Sequence, residues 1–212
     1  MVAVEIVRHR RARRYVVRVA ADGAVRLTVP RRASIDGGLR FAATQGPWIA
    51  RERQRQLDRS APWRDGTCAW YRGTHDRLRC ESGRIICGDL LVDLPPGGDV
   101  RTTLERRWRA LAEDELPPRC LELAARCGER VARVSVRNQR SRWGACSARG
   151  VITLNWRLVQ MPASVCDYVI FHELMHLRQP NHSRRFWREV DAVCGWWREA
   201  ERWLRKHGKE IL

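Results

Sequence analysis

Apolar and polar residues change rhythm along this chain, and the rhythm marks out its elements. Residues 2–7 alternate weakly, while 15–19 and 25–29 are β-rich runs joined through Asp22-Gly23, a hairpin-turn pair. Pro30 closes the second run. Ser34 or Asp36 can cap a helix whose apolar positions Phe41, Trp48, Ile49 and Leu57 carry it to about residue 57. Gly46-Pro47 predicts a kink in it, or two successive helices. Short β-like pieces then recur between turn residues, at 67–71, 77–80, 84–87 and 90–94. Pro95-Pro96-Gly97-Gly98 is the sharpest break. It predicts a β-rich region 1–96, with one helical segment, followed by a second region 97–212.

The second region is mostly helical. Thr102 or Thr103 can cap a helix over 104–127, interrupted by Pro117-Pro118 and stopped by Gly128. Two strands, 131–136 and 151–156, flank the segment NQRSRWGACSARG. Pro162 suits the first turn of the next helix, and Pro180 must end it near Arg178 or Gln179. Asn181 or Ser183 caps a further helix to about Cys194, and a final one starts at Trp196 and stops at Gly208. The whole reads as α+β.

Composition narrows the class. A hydrophobic content of 44% and ten Trp in 212 residues describe a folded globule rather than a basic tail. No apolar run reaches the roughly 18 residues of a membrane span, and the N-terminus is too soon interrupted by arginine for a signal peptide. A cytoplasmic protein without a membrane partner is expected. Eight scattered Cys without a CxxC pair predict small buried thiols, not a zinc ribbon. The net charge of +17 is concentrated at the two ends, with residues 61–130 balanced at 12 basic and 12 acidic. Such a surface could attract nucleic acid or nucleotides, although charge alone gives only non-specific attraction.

The chemistry lies in YVIFHELMHLRQPNHSRRFW, residues 168–187. His172 and His176 are four apart and share one face of a helix, where two imidazoles can bind one zinc ion. Glu173 is turned about 100° from His172 and can hold a water against that metal. His182 follows beyond the break at Pro180, giving HExxH-x5-H. Three protein ligands leave a position for water, the layout of a catalytic site. Arg140, Arg142, Ser147 and Asn155 are candidates for substrate contact, Arg142 for a carboxylate, phosphate or oxyanion. The strand 151–156 is a candidate to pair with an extended substrate.

These stretches (SRWGACS, LNWRLV, DYV, HELMHL and NHSRRFW) closely resemble the YgjP-like metal-dependent hydrolase family, related to WLM and SprT-like zinc metallopeptidases. The resemblance implies zinc on His172, His176 and His182, with Glu173 catalytic. It implies a zincin-like helical metallopeptidase half after the β-rich one. Ala145 departs from the RWGSCS wording of the family, and Gln179 stands where the similarly spaced metzincins have Gly. The expected function is a zinc-dependent hydrolase, a metallopeptidase acting on peptide or protein. The alternatives are a metal-dependent nucleotide phosphohydrolase and a DNA-associated zinc protein without turnover.

Overall fold

A computed structural model describes residues 3–20 and 22–212; Val2, where the first alternation begins, lies outside the described residues. The chain divides into two compact units, Met1–Pro62 and Trp63–Leu212.

In the first unit, β1 (Val4–His9), β2 (Val16–Val19) and β3 (Val25–Pro30) form a sheet in the order β1-β3-β2. The β2–β3 pair is the expected hairpin, with Val17 opposite Leu27, and β1 lies parallel along the other side of β3. Helix α1 (Ile35–Thr44) is capped by Ser34, whose hydroxyl accepts from the Gly37 N–H. Helix α2 (Gly46–Ser60) starts afresh with Pro47 in its first turn. A Cβ at Gly38 would sit 3.1 Å from Leu27, so α1 rests directly on the sheet. Leu27, Val29 and Ala42 make a small core.

The second unit begins with two β layers. One pairs β4 (Cys68–Tyr71) with β5 (Thr74–Arg77), and the other is the meander β6 (Arg79–Glu81), β7 (Arg84–Cys87) and β8 (Leu90–Asp93). Helix α3 (Val100–Cys127) follows, then β9 (Arg133–Arg137), β10 (Gly144–Cys146) and β11 (Val151–Asn155). A short 3-10 turn at Trp156–Gln160 leads into α4 (Ala163–Met175), α5 (Arg184–Val193) and α6 (Trp197–Ile211). Helices and strands are thus mixed, an α+β fold. No helix among the described residues is long and apolar enough to cross a membrane.

The division falls at Pro62, not at the Pro95–Gly98 run. Ile85 and Leu90 of the meander join Leu104 and Trp108 of α3, Leu154 of β11 and Phe171 of α4 in one core. Strands that share their buried side chains with a helix belong to its unit. Helix α3 also passes uninterrupted through Pro117 and Pro118. The carbonyls those prolines leave without a donor belong to Glu113 and Asp114, which are exposed and reach water instead. Its cap is Asp99, which accepts from the Thr102 N–H at 2.7 Å.

Candidate metal centre

Helix α4 is buried nearly all round, from Val165 through Met175, as suits a helix inside a core rather than on its surface. Its last turn carries His172 and Glu173, and His176 is its C-cap. The α-helix ends at Met175, slightly before the expected point, and tighter turns carry the chain on through Gln179. Arg178 fixes this exit. Its guanidinium donates to the Cys127 carbonyl at 2.6 Å and to Glu189 of α5 at 3.0 Å, and also pairs with Glu129. The φ of Gln179 is not left-handed, so this turn has no need of the metzincin glycine.

The turn returns His182 to the first two histidines. One ligand atom from each of His172, His176 and His182 lies within 4.8 Å of the others, and among the described residues no other group of potential ligands is so placed. The rings are 4.8–5.0 Å apart by centroid. Phe186, fully buried on α5, touches all three at 4.6–4.9 Å.

The protonation states fit a divalent metal such as zinc. His176 Nδ1 is 3.0 Å from the Gln179 carbonyl oxygen, which can only accept; the proton therefore sits on Nδ1, and Nε2 keeps its lone pair. Burial, with the other two imidazoles adding to it, pushes the His172 pKa down to about 3. Burial and then His176 lower that of His182. Neutral imidazole is the form that ligates a metal. His172 Nδ1 is buried without a partner, and the Nε2 atoms of His172 and His182 face each other at 2.9 Å. A buried nitrogen left without a partner calls for a reason, and a ligand to this centre is one.

Glu173 is only 7% exposed. Burial raises its pKa to about 7, with Arg142 pulling the other way. Its carboxylate lies over β10, where a Cβ at Gly144 would come within 2.5 Å of Cγ and 2.7 Å of Oε1. Only glycine leaves that space. Because side chains alternate across a strand, Ala145 points to the other face, so the missing hydroxymethyl of the family wording does not border Glu173.

The remaining sequence candidates separate. Arg142 faces Glu173 electrostatically. Arg140 is exposed and has no partner among the described residues. Ser147 is spent on the turn after β10, accepting from the Val151 N–H at 3.1 Å. Asn155 is fully buried, and its amide donates to the Gln139 and Arg142 carbonyls at 2.8 and 3.0 Å. It braces the loop that carries Arg142 rather than reaching a substrate. Strand β11 is the centre of its sheet, flanked by β9 and β10, so its edges are taken; the open edge beside α4 is β10.

Gly144, Arg178 and Phe186 escaped the sequence reading. The tripeptide WGA was part of a quoted segment, but nothing in its spacing says that a glycine faces a carboxylate.

No curated protein matches the chain. Similarity to the crystal structure of the metallopeptidase zymogen of Pyrococcus abyssi abylysin stands at 28% identity, over 39% of this chain and 78% of that one, with a TM-score of 0.33. The family described as YgjP-like, metallopeptidase domain, matches residues 13–207, nearly the full length. The chain belongs to the YgjP-like metallopeptidase-domain family.

Proposed function

We infer that this chain is a zinc-dependent peptidase of zincin-like arrangement, with His172, His176 and His182 as metal ligands and Glu173 as general base. The reading rests above all on one juxtaposition: three imidazoles converge beside a buried carboxylate that borders an open strand edge.

Zinc held there would supply Lewis acidity, lowering the pKa of a water and polarising a substrate carbonyl. Glu173 takes the proton of the attacking water on its carboxylate and passes it to the leaving amine. Its place on the turn that carries His172 and His176, against the strand edge, suits both halves of that transfer. Arg142, held by Asn155, supplies positive charge next to it for a carboxylate or oxyanion.

The edge strand supports peptide as the substrate. The Trp143 carbonyl and the Ser147 N–H bond to β11, so the antiparallel alternation turns the backbone groups of Gly144 and Cys146 outward. An extended peptide adding to that edge would run alongside Glu173.

In the test, purified E173Q protein retains about one zinc per chain, as three ligands and a water require. Its cleavage of an unfolded protein substrate falls by about a thousandfold. Glu173-dependent release of phosphate from nucleoside triphosphates, with no peptide cleaved, would overturn the peptidase reading.

A further inference from the structure

A groove runs outward from the histidine cluster along α5 and the start of α6, lined by Arg184, Trp187, Arg188, Asp191, Trp197 and Arg198. Its volume of about 550 Å³ is that of a small-ligand site. The first four residues are spaced i, i+3, i+4 and i+7, one face of α5. The groove connects to the centre through stacked rings. Trp187 lies against His182 at 5.9 Å and 26°, and against Trp197 at 4.6 Å and 26°. Arg198 then covers Trp197, 4.5 Å from its ring.

The charges in this groove do not cancel. Its single acid, Asp191, is already engaged by the Trp197 indole N–H at 2.8 Å and by Arg198 at 3.0 Å. Arg184 and Arg188 have no acidic partner among the described residues, although they sit one turn apart and repel each other. Two guanidinium groups lining a groove are suited to a carboxylate, which each can grip with two parallel N–H donors. A nucleic acid fits less well. Base stacking needs a free aromatic face, and the faces here are taken by His182, by the other indole and by Arg198.

We propose that this groove is a specificity subsite, in which Arg184 and Arg188 bind an Asp or Glu side chain of the peptide substrate near the bond to be cleaved. The proposal rests on the peptidase reading for its substrate, and its test separates the two. Matched peptides carrying Glu, Gln or Lys at positions flanking the scissile bond are compared on wild-type protein and on the charge-reversed R184E/R188E variant. Wild type prefers Glu over Gln by about tenfold in kcat/KM, the worth of one charge-assisted hydrogen bond, with the difference in KM. The reversed variant prefers Lys. An unchanged preference in R184E/R188E overturns the proposal. Binding is also read without turnover, by titration calorimetry of the peptides into E173Q protein. A signal from the Glu peptide that R184E/R188E abolishes supports the groove even where wild type cleaves nothing, in which case the peptidase reading alone falls. Stronger binding of a single-stranded oligonucleotide than of the Glu peptide overturns the acidic-peptide assignment.

Discussion

Gly144 shows how much one missing methyl can decide. The Glu173 carboxylate occupies the volume a Cβ would need, so G144A must move either the strand or the base. Overpacking of this kind costs about 1–3 kcal/mol in stability. Displacing a catalytic group by about 1 Å costs on the order of a hundredfold in rate. G144A should therefore bind zinc in wild-type amount while its kcat drops about a hundredfold, measured on one preparation by metal analysis and peptide cleavage. The histidines were legible in the sequence because their relation is local, a helix period and one proline. The relation between Gly144 and Glu173 spans a sheet and a helix, and no spacing records it.

Elements follow the same divide. The β2–β3 hairpin and the caps at Ser34 and Ser183 came from nearest neighbours, but α3 is capped by Asp99 rather than by Thr102 or Thr103, and its continuity through Pro117-Pro118 depended on which face of the helix met water. Gly208 is similar: it does not stop α6, but lets it approach Trp143, whose ring would lie 3.2 Å from a Cβ there. Arg178 is the tertiary joint between the end of α4, the end of α3 and α5. Its partners Glu129 and Glu189 are 15% and 25% exposed, so losing it leaves two poorly solvated carboxylates. R178Q should cost about 1–2 kcal/mol, and thereby lower the melting temperature by roughly 2–8 °C. Zinc affinity should fall about tenfold or more, as it does when groups that orient metal ligands are removed. Calorimetry and competition with a chelator dye check the two effects separately.

At the scale of the molecule, every residue assigned to the centre and to the groove falls in Trp63–Leu212. That unit has its own continuous core, whereas the first has, among its described residues, five buried apolar ones, Val25, Leu27, Val29, Ala42 and Ile49, and a net charge of +9. Residues 63–212 expressed alone should fold and bind about one zinc per chain, as circular dichroism and metal analysis would show. Loss of zinc binding on removal of 1–62 would mean that the first unit is needed to build the centre. The sequence break at Pro95 was chemically real but local. A turn of prolines and glycines separates two elements without separating their cores.

The three histidines lie within eleven residues of each other in the chain, while Gly144 and Arg142 approach Glu173 from about thirty residues upstream. Closing the short segment requires little loss of chain entropy. The upstream wall must wait for the β10–β11 hairpin to dock on α4 beside Glu173, a slower non-local event. A refolding chain would thus capture its metal before it has a cleft. Occupancy and competence become separate stages in the life of the molecule, and a chain can be fully loaded while still unable to turn over.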